Sequence, residues 1–126
     1  MASPLHTPIL FLIFNRPDTS QAVFEQIRKV EPKQLFVAAD GPRDWVAGES
    51  EQCAFTREIV KAIDWECDVK TRFNEKNEGC AVAVSAAITW FFSQVPEGII
   101  LEDDCYPDVS FFSFCEELLE KYRNED

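Results

Sequence analysis

Three consecutive carboxylates, Glu102-Asp103-Asp104, follow directly on the apolar run Ile99-Ile-Leu101 and precede a tight Cys-Tyr-Pro turn. Acids set side by side raise one another's pKa unless positive charge sits among them. A hard divalent cation such as Mn2+ or Mg2+ supplies that charge, takes oxygen ligands and keeps room for water and phosphate oxygens. Through such an ion an acidic protein can hold an anionic diphosphate and offset the charge that develops on it as a leaving group. A solvated acidic turn capping the next helix would use the same residues, and Asp108 is placed to cap. The position of the triplet, straight after a buried strand, favours a site.

Other candidates end other apolar runs. Asn15-Arg16 closes Ile9-Leu-Phe-Leu-Ile-Phe14, Asp40-Gly41 closes Gln34–Ala39, and Arg72-Phe73-Asn74 closes the stretch from Cys67. Arginine at such a place can bond bidentately to phosphate or stack on a base, or simply form a surface salt bridge. Asp40 can accept from a base imide or a ribose hydroxyl, although Asp-Gly-Pro is also ordinary turn chemistry. Asn77-x-Gly79 precedes a helix in which Ala81, Ala83, Ala86 and Ala87 would let the chain approach the sheet closely, with Gly79 needed for backbone geometry. Neither GxxxxGK[ST] nor GxGxxG occurs, so phosphate-loop and dinucleotide-loop readings lose their main support. The only histidine is His6, near the N-terminus, so no Ser-His-Asp or Cys-His set can be assembled.

The elements that must carry these residues alternate. Ile9–Phe14 is a continuous run of β-formers, the mark of a strand buried on both faces. A helix capped by Asp18 or Thr19 is predicted to run to Val30 and to stop at Pro32. Gln34–Ala39 reads as a second strand, and Glu51–Ile63 as a helix with Phe55, Ile59 and Ile63 inward. Cys67–Phe73 reads as a third strand, Cys80–Gln94 as a helix apolar almost all round and therefore largely buried, and Ile99–Leu101 as a fourth strand. A last helix opens at Pro107-Asp108 and ends near Tyr122. Strand–helix alternation repeated in this way predicts a single α/β domain: a three-layer α/β/α arrangement on a mostly parallel sheet of about four strands, with right-handed crossovers. Ligands of such open sheets bind outside the carboxyl ends of the strands, where all four candidate groups fall.

Bulk properties narrow the partners. With 126 residues, 46 % apolar and 13 % aromatic, the chain can build a core and is not a disordered tail. A formal charge of −11 argues against a nucleic-acid backbone or anionic membrane as partner. No apolar run reaches the length of a membrane span, and no leader is evident. The five cysteines form no CxxC pair and read as free thiols, which predicts a soluble cytoplasmic protein.

In order and spacing, Pro8–Arg16, Ala38-Ala-Asp-Gly41, Asn77-x-Gly79 with its alanine-rich helix, and Ile100-Leu-Glu-Asp-Asp104 resemble the GT-A glycosyltransferases of the family 2 and N-acetylglucosaminyltransferase I types. Leu-Glu-Asp-Asp-Cys-Tyr-Pro-Asp followed by Phe111-Phe112 is most similar to the latter, in which Glu-Asp-Asp replaces the commoner Asp-x-Asp. The resemblance implies a nucleotide-sugar donor, most simply a UDP-sugar, and Mn2+ or Mg2+ as cofactor. It implies that Asp104 ligates the metal with Asp103 beside it, that Glu102 and Asp103 face ribose and donor sugar, and that Asp40 binds the base. Asn15, Arg16 and Arg72 would complete the nucleotide site. In that fold the acceptor site and catalytic base lie after the acidic motif, where this chain has one helix. The expectation is thus a fragment that binds donor, with the base outside this chain and nothing in these residues specifying the acceptor. Two rival readings are a receiver-like signalling module with an acidic Mg2+ pocket and a sugar-phosphate nucleotidyltransferase. The first wants acids after the first strand, where Asn15-Arg16 stands; the second wants a glycine-rich basic loop there.

Overall fold

A computed structural model describes residues 4–123. Four parallel strands, β1 (Ile9–Ile13), β2 (Gln34–Ala39), β3 (Asp68–Phe73) and β4 (Ile99–Glu102), form one sheet in the order β3-β2-β1-β4. Four helices join and flank them: α1 (Pro17–Val30), α2 (Glu49–Glu58, continued by a 3-10 turn over Ile59–Ala62), α3 (Cys80–Phe92) and α4 (Val109–Tyr122). The chain steps outward from β1 through β2 to β3, then crosses back to β4. Crossovers of one hand must change face when the direction reverses. Accordingly α1, α2 and α4 cover one face and α3 covers the other, giving the expected three-layer, Rossmann-like arrangement.

Two cores result. On the α1 side, Ile9, Phe11 and Ile13 of β1, Leu35 and Val37 of β2, and Leu101 of β4 meet Phe24 and Ile27 of α1 and Phe112 of α4. On the α3 side the core is smaller: Leu10, Phe36 and Ala38 meet Ala87 and Phe91. The central strand β1 is buried on both faces, as a continuous apolar run requires.

Several local expectations are corrected. Proline rather than Asp18 or Thr19 opens α1: Pro17 takes the first helical position, where its missing N–H costs nothing, and Arg16 caps without a side-chain bond. In α2 the inward face is Glu49, Cys53, Thr56 and Val60, which recur at helical spacing, while Phe55 stands 65 % exposed. Ile59 and Ile63 do pack, half-buried, against the core. The third helix is not largely buried: only Ala87 and Phe91 are, because it is the only helix described on its face and meets the sheet along one line. Of its four alanines, Ala87 makes the close approach and Ala81 is exposed. As expected, Asp108 caps α4, accepting from the Ser110 amide at 3.2 Å. No helix of the described residues is long and apolar enough to cross a membrane, and all five cysteines are free.

Candidate functional site

All four strands point their carboxyl ends to one edge, and the strand order reverses between β1 and β4. That reversal parts the connecting segments and leaves a crevice, the usual place for a ligand in an open α/β sheet. Register puts specific side chains there. Arg72 pairs with Ala38, Ala38 with Leu12, and Leu12 with Glu102, so one transverse row crosses the sheet. Alternation along each strand turns the row to the face that α3 covers. At about 4.8 Å between neighbouring strands, Arg72 and Glu102 bracket roughly 14 Å of apolar floor.

A cavity of about 320 Å³ opens over that floor between α3 and the ends of β1, β2 and β3. Leu12, Ala38, Ala83 and Ala87 make it apolar; Asp40, Arg43, Arg72, Asn74 and Asn77 supply its polar groups. An apolar slot of this size with a few convergent polar groups has the make-up of a small-molecule site.

Asp40 holds the pocket together. One carboxylate oxygen accepts from the Gly41 amide (2.8 Å), Asn74 Nδ2 (3.2 Å) and the Glu78 amide (2.9 Å). The other accepts from Asn77 Nδ2 (3.0 Å) and the Gly79 amide (3.1 Å). An ionised carboxylate offers about four lone-pair sites. These five bonds occupy them, so Asp40 lines the slot as the anchor of the β3–α3 loop, with no acceptor left over for a base. The loop is pressed onto it: a Cβ on Gly41 would lie 2.5 Å from the Lys76 carbonyl carbon. Gly79 enters α3 at φ 93°, a conformation that glycine adopts without penalty. Arg57 closes the assembly from behind, donating to the Asp40 and Asn74 carbonyls at 3.0 and 2.8 Å.

A second polar knot lies at the β1 end. Glu49, at the start of α2, has a side chain only 1 % exposed. It accepts from the Arg43 amide at 2.8 Å, from Arg43 Nε at 2.9 Å and Nη2 at 2.6 Å, and from Asn15 Nδ2 at 3.2 Å. The Arg43 bonds hold its carboxyl down to about 2 against the opposing effect of burial. One Asn15 amide N–H is thereby spent on Glu49. Arg43, within the polar loop after β2, carries no sequence signal of a site; the contact with Glu49, six residues on at the start of α2, holds it at the pocket wall.

The acidic triplet lies at the other side of the crevice. Glu102 and Asp104, with Cys105, can each bring a ligand atom within 4.8 Å of the others; all three are exposed. Asp103 is outside this group and half-buried. Burial pushes its carboxyl up, Arg16 pulls it down, and Asp104 and Glu102 push it up again. Two carboxylates suit a hard cation, and the Cys105 thiol, within 3.7 Å of Asp104, adds a soft group that such an ion does not seek. The turn is held from below by Gln26 of α1, whose amide donates to the Pro107 carbonyl at 2.9 Å. Arg16 Nη1 lies 3.9 Å from Asp104 Oδ2, both side chains more than half exposed, so as an ion pair the contact contributes little.

No known protein family, curated protein or solved structure matches this chain. Of the residues singled out in the sequence, Asp40 and Arg72 line the pocket, Arg16 and Asp104 meet across the crevice, and Glu102 joins Asp104. Asn15 turns to Glu49 and Asp103 stands apart from the cluster.

Proposed function

We propose that this chain binds a nucleotide-sugar donor with a divalent cation, as the donor site of a glycosyltransferase does. The transverse row from Arg72 through Ala38 and Leu12 to Glu102 carries the reading. It sets an apolar-floored slot carrying Arg72 at one end and a pair of carboxylates at the other, on one face and across a switch point. That polarity matches a nucleotide diphosphate laid along the edge: a flat, weakly polar base in the slot and an anionic diphosphate toward the acids. Glu102 and Asp104 would hold Mn2+ or Mg2+, and the ion, when bound, neutralises the diphosphate. Arg16, beside Asp104, adds positive charge on the diphosphate side, and Arg72 supplies a guanidinium with no hydrogen bond or ion pair among the described residues. Asp40 acts through the loop that it holds, and Asp103, raised by burial, faces the sugar side as a hydrogen-bonding group.

Titration calorimetry of the folded protein with UDP tests the reading. Binding is expected in the presence of Mn2+ and is expected to fall sharply in Asp104→Ala. A folded wild-type protein that binds no UDP with Mn2+ present overturns it.

A further inference from the structure

The polar groups of the slot are not equally available to a ligand. Asp40 is saturated, Asn74 spends one amide N–H on Asp40, and Asn77 spends its amide N–H groups on Asp40 and on the Gly41 carbonyl. Arg43 differs. Its Nε and Nη2 form a fork on Glu49, its guanidinium carbon lies 5.8 Å from the Phe14 ring centroid, and its Nη1 makes no hydrogen bond among the described residues. Burying a carboxylate such as Glu49 carries a desolvation cost that only close partners offset. Four hydrogen bonds converge on it, three of them from Arg43, and together they fix one guanidinium at the wall of the pocket.

Charge decides what that guanidinium suits. Paired with Glu49 it is close to neutral overall, so it acts as an oriented donor more than as a free cation. Arg72, which makes no ion pair among the described residues, is the free cation of the pocket, whereas Arg43 suits an uncharged acceptor. A neutral carbonyl on a flat ring, resting beside Phe14 on the alanine floor, is the complementary partner.

We propose that Arg43 is a specificity-determining residue of this pocket, donating from Nη1 to a ring carbonyl of the bound nucleobase, with Glu49 as its positioning residue. The inference rests on the nucleotide reading above and deepens it.

Uridine, UDP and inorganic pyrophosphate are the probes, each with Mg2+ present. In the wild-type protein, uridine and UDP should shift the side-chain Nε–H resonance of Arg43 in ¹⁵N spectra, and pyrophosphate should not. Arg43→Lys keeps the charge and loses the fork. It should weaken uridine and UDP by a similar factor, roughly ten-fold or more for a charge-assisted hydrogen bond, and leave pyrophosphate unchanged. Glu49→Gln should show the same split, which a general loss of structure would not produce. Should Arg43→Lys fail to fold, the double variant Arg43→Leu with Glu49→Leu replaces the pair by apolar groups and serves in its place. Unchanged uridine and UDP binding in a folded variant, or an unmoved Arg43 resonance in a wild type that binds both, overturns the role of Arg43 and leaves the nucleotide reading standing. Loss of pyrophosphate binding overturns the carbonyl assignment. A folded wild type that binds neither uridine nor UDP overturns both.

Discussion

Arg72 on β3 and Glu102 on β4 belong to one row across the sheet, three strands apart, with Ala38 and Leu12 in register between them. Opposite charges so placed are too far apart to pair, and the apolar side chains between them offer a ligand no competing charge. The two ends should therefore fail differently. Arg72→Ala is expected to weaken UDP about ten-fold with or without Mn2+, as for a lost charged hydrogen bond. Glu102→Gln is expected to remove only the metal-dependent part. Paired calorimetric titrations, with Mn2+ and with a chelator, distinguish the two, and identical losses in both variants would contradict the division.

Asp40→Ala strips a partner from five donors, among them the Glu78 and Gly79 amides at the entrance to α3. Stranded donors are costly, and a loss of about 2–3 kcal/mol is expected in urea unfolding. Asp40→Asn keeps one acceptor oxygen and should cost less. If Asp40 instead served the ligand alone, both variants would unfold like the wild type.

Gly41→Ala tests the same loop without touching a polar group. Its Cβ would meet the Lys76 backbone at 2.5 Å, and backbone cannot swing aside as a flexible side chain can. The expected cost is about 1–3 kcal/mol, typical of overpacking, together with a distorted slot and weaker uridine binding. A variant with unaltered melting temperature and affinity would show that the loop can retreat freely.

Acid stability should report on Glu49. Its carboxyl sits at about 2 in the folded chain against an ordinary value of 4.5. A depressed folded-state value means stability that is complete above pH 4.5 and is lost as pH falls toward 2, because the unfolded chain binds the proton first. Urea unfolding at several pH values should show this decline in the wild type and a flatter profile over that window in Glu49→Gln. At neutral pH the same variant is expected to lose about 3 kcal/mol, near the low end for a broken buried pair since Arg43 is partly solvated. Parallel profiles for the two proteins would remove Glu49 from the account.

Much of the architecture was legible one residue at a time. Ile9–Ile13 and Gln34–Ala39 are unbroken β-formers, Pro32 marks a stop, and the alternation of strand and helix dictates a parallel sheet. Parallel strands put every carboxyl end on one edge, which is why Asp40, Arg72 and Glu102-Asp103-Asp104 could be collected from the sequence. Side-chain commitments were not legible in the same way. Phe55 looks like core by type but falls off the face set by Glu49, Cys53, Thr56 and Val60. The apolar third helix looks buried but has only one surface to pack against.

What the sequence by itself determined is thus the set of elements and the edge at which polar groups gather, since both follow from local patterns of period and punctuation. Only the tertiary structure decided which of those groups remain open to a ligand. Hydrogen bonds join residues far apart in the chain: Asp40 to Asn74 and Asn77, Asn15 to Glu49. A carboxylate or an amide has few bonding sites, so partners brought by the fold use them up and leave others, such as Arg43 Nη1, without a hydrogen bond among the described residues. No local pattern encodes that allocation.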